Sequence, residues 1–247
     1  MTKIFFKKFL HNNFHSKLII TKRELAAFFA SPIAYITSAL FLLIAGIFTF
    51  QIFFLQNRAD LRSYFSLLPL LLSFFIPALT MRMFAEEKRS GSIETLLTLP
   101  VSEVDVVFGK WFASFLESAI MISPTILFVI PLFIFGSPDV GPLVAEFIAS
   151  LFLCASFSAI GVFASTTTKN QIIAFFLAFA ICITLTLIDS FLIFLPSQIV
   201  SALSFISANA HFNAIARGIF DSRDVIYFVS LTVFFFALSV ESETSQR

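Results

Sequence analysis

The chain has 247 residues, of which 58% are hydrophobic and only 13% charged. A soluble domain normally carries about 25% charged residues, so an ordinary water-soluble enzyme is excluded, and a net charge of +1 gives no sign of a nucleic-acid partner. Several apolar runs reach the roughly 20 residues that cross a bilayer as a helix, which makes the chain a polytopic integral membrane protein.

The N-terminal "MTKIFFKKFLHNNFH" is no cleavable signal, because Lys7 and Lys8 interrupt its apolar patch and no small-residue cleavage site follows. "SKLIITKRELAAFFA", Ser16 to Ala30, places Leu18, Leu25, Phe28 and Phe29 on one side and Lys22 and Arg23 on another. That pattern predicts an interfacial helix lying on the bilayer, so residues 1–31 form a tail and an interfacial helix. Ser31-Pro32 then opens the first span, over 33–55, with a serine N-cap and proline at the first helical position. The second span covers 64–81. "SEVD", Ser102 to Asp105, has the form of a capping box and starts the third, over 104–135. The fourth covers 143–165, the fifth 172–195 and the sixth 225–240. Between the last two, "SQIVSALSFISANAHFNAIARGIF" has helical apolar spacing broken near Ser207–Asn209, which predicts two short helices dipping into the outer leaflet. No strand alternation repeats at the spacing of an outer-membrane barrel. The fold is therefore all-α, with one six-span transmembrane domain over 1–247.

Lys and Arg set the orientation. With the N-terminus inside, Lys3, Lys7, Lys8, Lys17, Lys22, Arg23, Arg82, Lys88, Arg89, Lys110, Lys169 and Arg247 face the cytoplasm. Only Arg58, Arg62, Arg217 and Arg223 remain outside. Both termini are predicted to be cytoplasmic.

The chemistry of an enzyme is missing. No glycine-rich loop closes on Lys-Ser/Thr, and no H-E-x-x-H or G-x-S-x-G occurs. His11 and His15 are four apart in a lysine-bearing tail and lack the acid of a metal motif. His211 stands alone, and Cys154 and Cys182 read as buried small residues rather than a disulfide. Three acids fall inside spans, where charge is costly. Glu117, two turns past Lys110 on the same helical face, and Asp189 are the candidates for a substrate pathway; Glu146 opens the fourth span. Interfacial solvation is the competing explanation for all three.

The stretch "EEKRSGSIETLLTLPVS", Glu86 to Ser102, interrupts two spans with a charged start, an amphipathic middle and a proline stop. Ile93, Leu96 and Leu97 share one helical face. A connector resting on lipid favours Lys and Arg, whereas this one mixes acids with bases, as suits a protein surface. The block "AEEKRSGSIETLLTLPVSEVDVVFGKWFAS" resembles the signature region of ABC-2 type permeases, membrane subunits of ATP-driven transporters. "FFASPIAYITSALFLLIAGIFTF" and "HFNAIARGIFDSRDVIYFVS" resemble its gliding-motility-associated branch, which is related to a branch serving maturation of a copper enzyme.

The resemblance implies an exporter permease with no catalysis of its own. A separate ATPase subunit would bind the ATP and magnesium, and two permeases and two ATPases would assemble in the inner membrane. It implies a cytoplasmic coupling helix between spans two and three, with Glu86, Glu87, Lys88, Arg89, Gly91, Glu94, Thr95, Leu96 and Pro100 at the ATPase contact. The alternative is a membrane scaffold for cell-surface machinery without transport of its own. The charge distribution makes a direct prediction. Reporter fusions after Lys169 and at Gln246 read cytoplasmic, and fusions near Gly141 and Ser207 read external; a cytoplasmic Gly141 fusion would overturn the topology.

Overall fold

The structure, a computed structural model, describes residues 17–56, 61–91, 102–135, 138–191, 204–218 and 221–245. In chain order the helices are α1 (17–30), α2 (Pro32–Gln56), α3 (Arg62–Thr80), α4 (Ala85–Ser90), α5 (Glu103–Ile122), a 3-10 segment (Ser123–Phe128), α6 (Val129–Phe135), α7 (Val140–Thr166), α8 (Gln171–Phe191), α9 (Ala208–Ala216) and α10 (Ser222–Thr244). No strand occurs among the described residues. Six stretches are long and apolar enough to cross a bilayer: Pro32–Gln51, Arg62–Ser90, Glu103–Phe135, Val140–Thr166, Gln171–Phe191 and Ser222–Thr244. The chain is an all-α integral membrane protein.

Local side chains decide where these helices begin. An N-cap oxygen satisfies one of the backbone N–H groups that the first turn leaves free. Ser31 Oγ accepts from Ile33 N at 3.3 Å, and Pro32 follows at the first helical position, where its missing N–H is harmless. Ser102 Oγ accepts from Asp105 N at 3.2 Å at the start of α5. Asp139 caps α7 through Gly141 N, and Asp221 caps α10 through Arg223 N. Ser207 caps α9 through Ala210 N at 3.1 Å, which accounts for the break in apolar spacing at that point. The stretch from Glu103 to Phe135 changes character at Ser123, where a 3-10 segment begins with Pro124 in its first turn. Proline cannot donate to the preceding turn and crowds it. At 33 residues, an unbroken α-helix there would reach about 50 Å, well beyond the ~30 Å hydrocarbon core.

Packing centres on α3 and α7. Helix α7 touches α3, α5, α8, α9 and α10, and Leu153, Phe157 and Ile160 on it are fully buried, as are Leu68, Leu72 and Ile76 on α3. Small residues permit the close approach that membrane helices need. A Cβ added to Gly161 of α7 would lie 1.9 Å from Thr80 Oγ1 and 2.7 Å from Thr80 Cβ. Hydroxyls and one indole add bonds between helices: Ser118 to Ser158 at 3.2 Å, Ser156 Oγ to the Phe228 carbonyl at 3.0 Å, and Trp111 Nε1 to the Ala155 carbonyl at 3.0 Å. Cys154 and Cys182 are buried free thiols. On the outside, Ile36 and Leu43 of α2, Phe133 and Ile134 of α6, Ile172 and Phe176 of α8, and Val233 and Phe234 of α10 are exposed. An apolar surface this extensive suits lipid rather than water.

Two amphipathic segments sit differently from the sequence expectation. In α1, Leu18 and Phe29 are exposed, but Phe28 is buried with Thr21 against the bundle. Helical geometry puts Ile20, Thr21, Glu24 and Phe28 on one stripe, and that stripe faces protein. The close fit of α1 to α5 is made at Gly109, where a Cβ would meet Ile20 Cβ at 2.8 Å and the Lys17 carbonyl at 3.2 Å. Helix α9 does not dip away from the bundle. Its Ala208, Phe212 and Ile215 are fully buried, and it packs on α3, α7, α8 and α10.

The Gly161 contact makes a stability prediction. Gly161→Val forces α7 away from Thr80 and lowers stability by about 1–3 kcal/mol, the usual range for overpacking. Gly46→Ala is the control, since its nearest neighbour, Phe128 Cζ, would lie 3.8 Å from the new Cβ. Thermal unfolding in detergent should show a depressed midpoint for the first variant and none for the second.

Candidate functional site

Charged residues collect at one end of the bundle, around α4. Its sequence, Ala-Glu-Glu-Lys-Arg-Ser, places Glu86 and Glu87 in the first turn and Lys88 and Arg89 in the last. That order complements the helix dipole at both ends. Gly91, at φ 73° in the left-handed region, ends the helix, as glycine does at small conformational cost. The turn that leads into α4 is held from α7: Ser165 Oγ accepts from Phe84 N at 2.9 Å and Ala85 N at 3.0 Å and donates to the Met81 carbonyl at 3.0 Å. Lys88 points inward, donating to the Thr166 carbonyl at the end of α7 and pairing with Glu243 of α10 at 2.6 Å.

The centre of this end is Lys110 of α5, whose side chain is fully buried. Its ammonium pairs with Glu87 at 3.0 Å and Glu24 at 3.4 Å, donates to the Met83 carbonyl, and lies 4.8 Å from the Phe84 ring centroid. Arg23 adds a second cation, 2.7 Å from Glu24 and 3.0 Å from Glu87. Burial works against the charge on Glu24, but the Lys110 ammonium and the Arg23 guanidinium more than offset it and hold its carboxyl below the usual range. One turn from the start of α5, Asp105 pairs with Lys17 of α1 at 3.3 Å. Its carboxylate thus serves α1, while Ser102 alone caps the helix. A cavity of about 470 Å³ opens beside the cluster, lined among others by Arg23, Glu24, Phe28, Arg82, Glu86 and Glu117.

A family model described as ABC-2 family transporter protein matches residues 18–240. The chain belongs to the ABC-2 transporter family. A search of curated proteins found no match. The family makes this chain a permease subunit of an ABC transporter, a membrane component of transport. The match runs from the second residue of α1 to the last part of α10, so α1 is inside it.

The ABC-2 permease treats its predicted contact residues in two ways. Glu86, Arg89 and Gly91 are exposed, whereas Glu87 and Lys88 turn inward to α1, α5, α7 and α10. Glu94, Thr95, Leu96 and Pro100, with Ile93 and Leu97, lie outside the described residues, as do His11 and His15. Glu117 and Asp189 are not brought together. Asp189, half-buried at the far end of α8, accepts from Asn209 Nδ2 at 3.4 Å and so ties α9 to α8. Glu117 lines the cavity at the charged end, fully buried and without a hydrogen-bond partner. His211 is not alone: it is 2.6 Å from Asp224 and stacks on Tyr227 with centroids 4.1 Å apart. The sequence reading passed over Glu24, Ser165 and Glu243. The one signal available for them was a lysine, Lys110, placed two turns inside a predicted span, which obliges partners to exist.

Lys110 supplies the prediction. Lys110→Met keeps the volume but leaves two carboxylates facing each other, and removing one member of a buried pair costs about 3–5 kcal/mol. Glu24→Gln, Glu87→Gln and Lys110→Met together should recover most of that loss. The pH dependence follows from the lowered Glu24 carboxyl. A depressed folded value gives stability that is full above the unfolded value and lost as pH falls through the folded one. Hydrogen exchange over residues 17–30 should therefore stay protected until the pH drops below the ordinary carboxylate range, and in Lys110→Met that protection is already lost at neutral pH.

Proposed function

We propose that this ABC-2 permease subunit works in export, with a separate ATPase docking on the segment that begins at α4. In this reading two permeases and two ATPases assemble in the inner membrane with both termini in the cytoplasm. ATP and magnesium belong to the partner, and the permease binds neither. The gliding-motility-associated branch is proposed on the block His211–Ser230 alone.

The observation that carries the reading is the division of labour within α4. Glu86 and Arg89 face out, where a partner can reach them, and Glu87 and Lys88 face in. A push on the outer face would move a helix that is ion-paired to α1, α5 and α10 and hydrogen-bonded to α7. Such pairs are poor spacers but good links: a buried pair resists separation because each charge would be left unpartnered. Docking would thus displace several spans together rather than bend one connector, which is the rigid-body motion that alternating access needs.

The test is co-purification of the chain from its native membranes, with a P-loop ATPase subunit as the expected companion. Leu96→Asp and Glu94→Arg should insert with unchanged topology and lose the ATPase subunit, since a charge buried without a partner costs several kcal/mol, enough to separate a micromolar contact of about 8 kcal/mol or to weaken it severely. Glu87→Gln should keep the ATPase bound but lower transport-coupled ATP hydrolysis, because the contact is intact and the link behind it is not. Retention of the ATPase at full stoichiometry by Leu96→Asp would refute docking at this segment.

A further inference from the structure

The cavity beside α4 contains one group that the charge network leaves out. Glu117 lies seven residues beyond Lys110, on the same face of α5 and about 10 Å further along it. Its side chain is fully buried, and neither carboxylate oxygen has a hydrogen-bond partner. Buried carboxylates are retained where something neutralises them. Arg82 lines the same cavity but stands over the Phe28 ring, 5.5 Å from its centroid, and makes no ion pair with Glu117. The remaining acids of the lining are Glu24, Glu86 and Glu87. Arg23 and Lys110 pair with Glu24 and Glu87, and Glu86 is exposed to solvent. Glu117 is therefore the buried carboxylate of this lining that has no partner.

We propose that this cavity binds a ligand bearing a single ammonium group, with Glu117 as its counter-ion. The inference does not depend on where the ATPase docks. The space is far too large for a bare ion: about 470 Å³ compares with the ~30 Å³ share of one water and falls in the range of small-molecule sites. A metal is the wrong guest for the donor set, since no group of three or more His, Cys, Asp or Glu among the described residues could hold one. The walls suit an organic cation. Phe28 and Met83, both buried, are part of the lining, and an aromatic side chain near a carboxylate is a favourable setting for an ammonium. The mouth is marked by the exposed Glu86 and Arg23. Helix α1, which forms one side, carries exposed Leu18, Ile19 and Phe29, so the ammonium can come from a lipid headgroup or from a free amine.

The experiment uses the full chain in nanodiscs of phosphatidylglycerol, with two probes. Ethanolamine hydrochloride supplies the free amine, and replacing a third of the lipid by phosphatidylethanolamine supplies the headgroup. Sodium chloride at equal ionic strength is the control. The thermal unfolding midpoint of the wild type should rise by several degrees with at least one probe, and that of Glu117→Gln with neither. A rise with ethanolamine identifies the free amine as a sufficient ligand, and a rise with the phospholipid alone identifies the headgroup. A midpoint unmoved by both probes, or an equal rise in Glu117→Gln, overturns the proposal. Should Glu117→Gln fail to fold, esterification of wild-type Glu117 by a diazo reagent, which does not couple amines to the carboxyl, read by peptide mass spectrometry, decides. At least a fivefold loss of label with either probe supports the site; unchanged label disproves it.

Discussion

The buried ammonium of Lys110 is the constraint on which the charged end of this protein depends. An unpaired ammonium out of water is prohibitively costly, so whatever surrounds α5 at that level must supply acceptors. They come from three separate places: Glu24 on α1, Glu87 on α4 and the Met83 carbonyl in the turn after α3. One side chain therefore fixes α1, α4 and α5 relative to one another. Lys88 repeats the device with α7 and α10, and Ser165 locks the turn between α3 and α4.

The rest of the bundle is held in another way. Lipid tails are as apolar as leucine, so helices inside a membrane associate by close packing and by hydrogen bonds between them rather than by escape from water. That is what α3 and α7 display, with Gly161 against Thr80 and serines bonded between α5, α7 and α10. The far end has its own ties, Asp189 to Asn209 and His211 to Asp224, each joining α9 to a span. These seal α9 onto the bundle without wiring it to the charged end. A displacement applied at α4 is therefore handed directly to α1, α5, α7 and α10, and reaches the far end only through packed helices.

Helix α5 shows how two similar residues can differ in meaning. Lys110 and Glu117 share a face and are both fully buried. The first is surrounded by acceptors and is structural. The second faces a cavity with no partner, a condition that favours a ligand or proton over a structural role. Neither burial nor residue type separates them; only the atoms opposite do.

The sequence by itself determined the class and the count of spans, because apolar runs of about 20 residues have no other stable home and polar caps such as Ser31 and Ser102 announce helix starts locally. The charged start of the stretch at Glu86 was legible because it is out of place between apolar runs, and it forms α4. What the tertiary structure alone decided is where each charge goes. Phe28 turned from lipid to protein, Glu87 and Lys88 turned inward while Glu86 and Arg89 stayed outside, and Asp105 served Lys17 rather than its own helix. Period and spacing place a residue on a face of its helix. Which neighbour that face meets is a long-range fact: Lys110 lies 86 residues from Glu24, and Lys88 lies 78 from Thr166, so no local pattern can carry it.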